Sequence, residues 1–339
     1  MLLKKLSEAS GVSSNESEVR NLIKDNIEDK VDELWTDVMG NLIAVKGKKK
    51  QGKKVLLSAH MDEVGLMITG IENNGLLNFR PVGDIDKRSL VSKPVLVGKE
   101  KMKGVIGSKA IHLQKKSERN NPIPWSNLYI DIGTSSKKES KKYVELGDYV
   151  SFNTRFKQLG SNHAKGKAFD DRIGCSIIID LLKYDYDFPL YVVFSAQEEV
   201  GLRGAGRAAY DIDPSMALII ESTSASDVPE SNDHEYSTSL DKGPALTVMD
   251  KSLISNKKIL QGLINISKNN DIPYQIKKSN TGGTDAGEIS LTKEGIPSAV
   301  ISLPSRYIHS PVSLISLKDY DYLKELIKLY LQDLNKGEF

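Results

Sequence analysis

The feature that most constrains the fold is an apolar segment that ends in two adjacent glutamates. Residues 190–206 read LYVVFSAQEEVGLRGAG, so an aromatic and β-branched run at 191–194 precedes Glu198 and Glu199. Such a run predicts a buried strand, and the glycines behind it predict a turn. Neighbouring carboxylates at a strand end repel each other unless a positive charge lies beside them. A metal ion would supply that charge, provided that other segments contribute further ligands.

Composition limits the classes of partner. The chain has 339 residues, enough for one large domain or two medium-sized ones. Its 47 basic and 45 acidic residues nearly balance, which gives no basis for predicting a nucleic-acid or membrane partner. No segment approaches the roughly 20 apolar residues of a membrane span, and the first residues lack a signal-peptide core. The single cysteine, Cys175, excludes an intramolecular disulfide. We therefore expect a cytoplasmic protein.

Helical and strand-like segments alternate before residue 65 and after residue 162. Residues 2–30 predict helix, interrupted near Gly11, and Ser13 and Glu16 have the spacing of a capping box. This alternation predicts an α/β domain. The other predicted elements are strands at 42–45, 55–58, 190–195, 217–220, 245–250, 274–277 and 298–303, and helices at 169–183, 204–210, 256–269 and 317–334.

The region between residues 65 and 156 has a different character. Short strand signals alternate with glycines there, and helical periodicity is weak. This pattern is typical of a small β-barrel or sandwich inserted into a larger domain. Its polar, proline-containing middle at 114–127 predicts an exposed loop or an oligomer contact. We therefore predict an α/β domain formed by residues 1–65 and 163–339, and an inserted β-rich domain at 66–162.

Side chains of metal-ligand type follow several predicted strands. In open α/β sheets, ligands bind beyond the carboxyl ends of the strands, so such side chains can converge there. Mixed histidine and carboxylate ligands suit zinc, cobalt or manganese in a hydrolytic site. The candidates are His60, Glu198, Glu199, Glu221 and His309 after strands, and Asp170 at the start of a helix.

The segments around these residues, taken in order, resemble the M42 family of metallo-aminopeptidases. The resemblance runs along essentially the whole chain. It implies an α/β, mixed-sheet, phosphorylase/hydrolase-like catalytic domain interrupted by a PDZ-like β-barrel domain for oligomerisation. It also implies a homo-oligomer, such as a hollow tetrahedral dodecamer that admits short peptides. The matching segments are His60-Met61-Asp62, Asp170-Asp171, Glu198-Glu199 with the following GLRGAG, Glu221, GGTDA at 282–286 and RYIHSP at 306–311.

The resemblance also implies two divalent metal ions per subunit, zinc or cobalt, with manganese as a further candidate. One ion would be held by His60, Asp170 and Glu221. The other would be held by Asp170, Glu199 and His309, with Asp170 bridging the two. Many relatives carry an aspartate where this chain has Glu221, a difference of one methylene.

Catalytic and substrate-binding roles follow from the same resemblance. Glu198 would act as general base, taking a proton from the attacking water and returning it to the departing amine. Asp62 would fix the tautomer of the histidine two residues before it. Thr284, Asp285 and Arg306 are the candidates for contacts with substrate.

These motifs predict an aminopeptidase acting on short peptides. Two other readings remain open: a metal-dependent deacylase or carboxypeptidase on the same scaffold, and a non-catalytic peptide-binding assembly. Acidic, basic and aliphatic amino-terminal residues are all compatible with the sequence as preferred substrates.

Structural roles remain open for individual residues. Glu198 and Glu199 could be exposed loop charges, Asp170 a helix cap and His309 a loop-packing residue. We expect Asp171 to have a structural or supporting role and Cys175 to be a buried small hydrophobe. The remaining histidines carry no predicted metal role; they are His112, His163 and His234.

Overall fold

A large mixed sheet flanked by helices and a separate closed barrel make up the fold. The computed structural model describes residues 1–229 and 236–335. The helices within these residues are α1 (Leu2–Glu8), α2 (Ser17–Ile27), α3 (Lys116–Arg119), α4 (Lys137–Ser140), α5 (Phe169–Leu181), α6 (Ala205–Ile212), α7 (Lys257–Asn269), α8 (Asp285–Ser290) and α9 (Leu317–Leu334). Among the described residues, no helix has the length and apolar character needed to cross a membrane.

Seventeen strands are formed by the described residues. They are β1 (Glu33–Thr36), β2 (Leu42–Lys46), β3 (Val55–His60), β4 (Gly65–Ile71), β5 (Leu77–Val82), β6 (Pro94–Val97), β7 (Met102–Ser108), β8 (Leu128–Asp131), β9 (Tyr149–Phe152), β10 (Lys157–Leu159), β11 (His163–Gly166), β12 (Leu190–Ser195), β13 (Met216–Ser224), β14 (Ala245–Thr247), β15 (Gln275–Lys277), β16 (Ser298–Arg306) and β17 (Ser313–Ser316).

The large sheet places four parallel strands at its centre. Its order is β1-β2-β12-β3-β13-β16-β17-β11-β10, and β14 attaches β15 to β16. Neighbours within the group β12, β3, β13 and β16 run parallel, so their carboxyl ends share one edge. Every residue of β3 is buried, as expected for a strand covered by helices on both faces. The strands predicted in this group are confirmed, and β3, β13 and β16 extend further than the sequence indicated.

The inserted region forms a closed barrel with its own core. Six antiparallel strands close in the order β4-β5-β8-β7-β6-β9, and their apolar side chains form a cluster separate from that of the sheet. The prediction of a small barrel within a mixed α/β fold is therefore confirmed. The barrel strands run from Gly65 to Phe152, while β10 pairs in the large sheet. The domain boundaries at 66 and 162 stay a prediction.

The capping box predicted at Ser13 and Glu16 is wrong. Helix α2 begins at Ser17, and Glu16 precedes it without a side-chain cap. The Ser13 hydroxyl instead donates to Asp62 Oδ2 at 2.6 Å, while Glu16 Oε1 accepts from the Ser14 backbone N–H. The Ser13 hydroxyl, which the sequence pattern assigned to the helix cap, is therefore bound to Asp62, a buried carboxylate 49 residues further along the chain.

A buried ion pair ties the amino-terminal segment to the sheet. Lys167 Nζ lies 2.7 Å from both carboxylate oxygens of Glu63, and both side chains are 2% exposed. Arg172 donates to the backbone carbonyls of Met61 and Leu6. This network fixes the segment after β3 against the start of α5.

Removing one member of this pair should destabilise the protein. Glu63→Gln leaves the buried Lys167 ammonium without its counter-ion, so the free energy of unfolding should fall by about 3–5 kcal/mol. Thermal unfolding followed by circular dichroism measures the change. Asp211→Asn is the control, because Asp211 pairs with Arg207 at 2.9 Å with both side chains about half exposed; the effect there should stay below about 1 kcal/mol. Equal melting temperatures for the two variants would contradict the prediction.

Candidate metal centre

The parallel strands bring the predicted ligands to one edge of the sheet. His60 is the last residue of β3, and Glu221 lies within β13. Glu199 follows β12 and His309 follows β16, while Asp170 lies in the first turn of α5. Each therefore reaches the site from a rigid element or from a loop directly after one.

One group of donors centres on His60. Its Nε2 lies 3.2 Å from Asp170 Oδ1 and 3.7 Å from Glu221 Oε2. His60 and Glu221 are 1% and 3% exposed. Donor atoms of His60, Glu221 and the neighbouring Asp171 all lie within 4.8 Å of one another.

A second group centres on His309. Its Nε2 lies 3.2 Å from Asp170 Oδ2 and 3.4 Å from Glu199 Oε2. Asp170 thus contacts one histidine through each of its carboxylate oxygens. The His309 imidazole therefore faces two carboxylates, and its role as a ligand stays a prediction.

Asp62 links the first histidine to the loop that carries both glutamates. Its Oδ1 lies 3.4 Å from His60 Nδ1 and accepts the backbone N–H of Glu198 at 3.0 Å. Its Oδ2 accepts the backbone N–H of Glu199 at 3.2 Å as well as the Ser13 hydroxyl. Burial opposes ionisation of Asp62, but its contacts with His60 and Ser13 outweigh burial and lower its pKa.

The remaining carboxylates are crowded and buried. Burial raises the pKa of Glu199 to about 8, and it raises the pKa of Glu198 and Glu221 well above the usual glutamate range. Burial opposes the charged form of His309, but its contacts with Asp170 and Glu199 raise its pKa to about 9. The group therefore holds more carboxylates than its two imidazoles can balance, and a bound cation would relieve that imbalance.

The donor chemistry fits a divalent metal. Histidine nitrogens and carboxylate oxygens together are the ligands of catalytic zinc, cobalt and manganese sites. Glu221 Oε1 is buried without a hydrogen-bond partner among the described residues, so this oxygen is free to ligate. The residues present therefore fit the metal that the donor set implies.

Asp171, within the first turn of α5, accepts a backbone N–H, whereas the residue before the helix, Ala168, offers no side-chain cap. Asp171 Oδ1 accepts the backbone N–H of Gly174 at 3.0 Å, while Asp170 turns both oxygens to the histidines. The peptide bond between these two aspartates is cis. The sequence signal here was a pair of consecutive acidic residues at a helix start. In the structure the two side chains make different contacts, since Asp171 accepts a backbone N–H and Asp170 faces the histidines.

A cavity of about 560 Å³ opens beside the ligands. Glu198 lines it, and so does the predicted substrate residue Thr284. Asp285 is buried and accepts the Ser195 hydroxyl at 2.5 Å. Arg306 forms two 2.8 Å contacts with Asp227 and does not line this cavity.

Sequence reasoning missed a set of polar residues in the same cavity wall. Their types are common in loops, and the signal for most of them was a place shortly after Glu221 or shortly before the GGTDA segment; Ser237 had no such signal. They are Ser222, Thr223, Ser224, Ser226, Ser237, Lys277, Ser279 and Thr281.

Among the described residues, His112, His163 and Cys175 do not belong to the groups of candidate ligands, although the Cys175 thiol donates to the backbone carbonyl oxygen of His60 at 3.3 Å. His163 Nε2 lies 3.1 Å from Asp241, and His112 lies in a short 3-10 turn of the inserted region. Cys175 is fully buried, as expected, and burial raises the pKa of its thiol. His234 lies outside the described residues.

Comparison with known proteins places this geometry in a family. The family model of the M42 glutamyl aminopeptidases matches residues 40–326. The lysyl aminopeptidase of Pyrococcus furiosus is 33% identical over 347 aligned positions, covering 100% of this chain and 98% of the relative.

Solved structures agree with the sequence comparison. An aminopeptidase from the archaeon Desulfurococcus kamchatkensis superposes with a TM-score of 0.93 at 38% identity, covering 98% of this chain and 94% of the other. The TET1 peptidase of Pyrococcus horikoshii, which can assemble into a tetrahedron or a large octahedral shell, gives 0.86 at 33% identity and 98% coverage of both chains. The chain therefore belongs to the M42 family of peptidases, as the sequence motifs predicted, and is an exopeptidase.

Proposed function

We propose that this protein is a dinuclear-metal aminopeptidase that removes amino-terminal residues from short peptides. The observation that carries the proposal is the position of Asp170, whose two oxygens each lie 3.2 Å from a different histidine. We assign one ion to His60, Asp170 and Glu221. The second ion is assigned to Asp170, Glu199 and His309. Zinc or cobalt suits these donors, and manganese is also compatible.

The chain supplies the proton transfers. Two ions held by these residues would lower the pKa of a water molecule and polarise the scissile carbonyl. Glu198 takes the proton of that water and returns it to the departing amine. Burial raises the pKa of Glu198, the direction required of a group that accepts and then releases a proton near neutral pH.

Asp62 acts through its neighbours. It faces Nδ1 of His60 and accepts backbone N–H groups from Glu198 and Glu199. It thereby orients the His60 imidazole and fixes the proposed base, Glu198, and the proposed ligand, Glu199, relative to that imidazole. Thr284 lines the cavity and is assigned to substrate. Substrate roles for Asp285 and Arg306 stay predictions, because their observed contacts are with Ser195 and Asp227.

We also propose a cytoplasmic homo-oligomer. The similarity to the Pyrococcus horikoshii TET1 peptidase supports a closed assembly such as a dodecamer. Ile111 and Leu113 in the inserted region are 68% and 63% exposed, which suits a contact surface. The catalytic domain of residues 1–65 and 163–339, its phosphorylase/hydrolase-like class and the PDZ-like class of the insert at 66–162 belong to the same proposal.

The activity is tested with amino-acid p-nitroanilides, which carry a free amine. Metal-loaded enzyme should release p-nitroaniline, and Glu198→Gln should lower kcat about 100- to 10,000-fold because the general base is lost. Chelation should abolish activity, and added zinc, cobalt or manganese should restore it.

Blocked substrates separate the alternatives. Hydrolysis of N-acetyl amino acids or of amino-blocked peptides, with free-amine substrates left intact, would replace the proposal by a deacylase or carboxypeptidase. No hydrolysis of any substrate by metal-loaded protein would favour a peptide-binding assembly.

Metal content tests the two-ion assignment. Zinc-loaded, dialysed protein should contain two ions per subunit by inductively coupled plasma mass spectrometry. His309→Ala should retain about one, because His60 and Glu221 still hold their ion. His163→Ala is the matched control, since His163 contacts Asp241 away from the site, and should retain two. A single ion in the unmodified protein would exclude the dinuclear assignment.

Light scattering during size-exclusion chromatography tests the assembly. We expect a mass several times that of the 37.5 kDa subunit, with twelve copies in a tetrahedral shell. Ile111→Asp should reduce the mass, because it places a charge in the proposed apolar contact. A monomer mass for the unmodified protein at micromolar concentration would overturn the proposal.

A further inference from the structure

The carboxylate of Asp62 connects several parts of the candidate metal centre. Its side chain is fully buried. Oδ1 lies 3.4 Å from His60 Nδ1 and accepts the backbone N–H of Glu198 at 3.0 Å. Oδ2 accepts the backbone N–H of Glu199 at 3.2 Å and the Ser13 hydroxyl at 2.6 Å. A carboxylate has about four acceptor positions, two on each oxygen, and these four neighbours fill them.

The contact with Ser13 is the shortest of the four. The torsion that turns an aspartate carboxylate about its own axis has broad minima, so the plane of the Asp62 carboxylate is set by its contacts and not by a rotamer. Without the hydroxyl, Oδ2 would keep only the longer contact with the backbone of Glu199. The carboxylate could then turn, and Oδ1 would move relative to the imidazole of His60.

Backbone pairing delivers the Ser13 hydroxyl to this position. Residues 11–13 lie against the segment that follows β3. The backbone N–H of Glu63 donates to the Gly11 carbonyl at 2.9 Å, and the backbone N–H of Ser13 donates to the Glu63 carbonyl at 3.3 Å. Ser13 is 1% exposed. The contact with Asp62 therefore requires the ordering of only one short side chain, which keeps its entropic cost small.

We propose that Ser13 is a positioning residue of the metal centre. Its hydroxyl fixes the Asp62 carboxylate, and this carboxylate in turn fixes the His60 imidazole and the backbone of Glu198 and Glu199. Hydrogen-bond partners of a metal-binding histidine orient its ring and raise its basicity, which strengthens the binding of the ion. Ser13 extends that support by one residue, into the segment before α2. This role rests on the metal assignment proposed above and adds a residue to the same site.

Zinc affinity tests this role at the ion assigned to His60. The His309→Ala background isolates that ion, because it should retain only one per subunit. In this background, Ser13→Ala should raise the dissociation constant for zinc about 10- to 100-fold, measured by competition with a chromophoric chelator. An unchanged dissociation constant would overturn the proposal.

Two serine-to-alanine variants serve as matched controls in the same background. Ser17 is exposed at the start of α2. Ser298 is 2% exposed and donates to the Ile296 carbonyl at 2.8 Å, at the amino end of β16 and thus at the end away from His309. Both variants should bind zinc as the background does. Equal weakening by Ser298→Ala and Ser13→Ala would show a general effect of losing a buried hydroxyl and would overturn the proposal.

A double variant shows whether Ser13 acts through Asp62. Adding Ser13→Ala to Asp62→Ala should change the dissociation constant for zinc by less than about twofold, because the carboxylate that the hydroxyl holds is already absent. A further loss as large as that of Ser13→Ala alone would show an independent effect and contradict the assigned role.

Hydrogen exchange tests the positioning role in metal-free protein. The backbone N–H groups of Glu198 and Glu199 donate to Asp62, so a looser carboxylate should protect them less. Ser13→Ala should speed exchange about tenfold in a peptide covering residues 196–202, while Ser298→Ala should leave it unchanged. Unchanged exchange in Ser13→Ala would overturn the proposal even in an active aminopeptidase. Faster exchange in a protein that binds no zinc would support the positioning role and overturn the metal assignment alone.

Discussion

The structure depends on keeping several carboxylates buried together at one edge of the sheet. Burial raises the pKa of Glu198, Glu199 and Glu221, so each would take up a proton or move into water if its surroundings allowed. Four parallel strands prevent the second outcome, because rigid backbones deliver side chains from distant parts of the chain to the same edge. Imidazoles and backbone N–H groups then compensate part of the remaining charge, and a metal ion held by these side chains would compensate the rest.

The positions of the side chains at this edge are set by contacts of residues next to them in the chain. Asp62 accepts two backbone N–H groups from the loop after β12, which sets that loop relative to His60. The next residue, Glu63, pairs with Lys167, three residues before Asp170, whose two oxygens face the two histidines. The buried ion pair is therefore formed by residues that neighbour the predicted ligands in the chain. The segments that carry the predicted metal ligands thus also carry the contacts that hold those segments in place.

Sequence periodicity predicted the central strands because each is a long apolar run, and it predicted the donors that follow those runs. It failed at Ser13, where a local capping pattern lost to Asp62, a partner 49 residues away. It missed Lys277 for a related reason. A lysine at the end of a three-residue strand has no distinctive local pattern, and its approach to the ligand cavity depends on the pairing of β15 with β14. Contacts set by tertiary structure are those that local sequence reasoning could not supply.

Central and lateral strands of the large sheet differ in how many neighbours hold them. Glu221 and the hydroxyls after it share β13, a central strand paired on both sides, so a shift there would disturb ligand and pocket together. Within the described residues β15 pairs with β14 alone. A lateral strand of this kind can exchange its side chains while the central strands keep their register. Substrate preference could therefore diverge among related enzymes by substitutions at the periphery of the sheet, with the hydrolytic apparatus inherited unchanged.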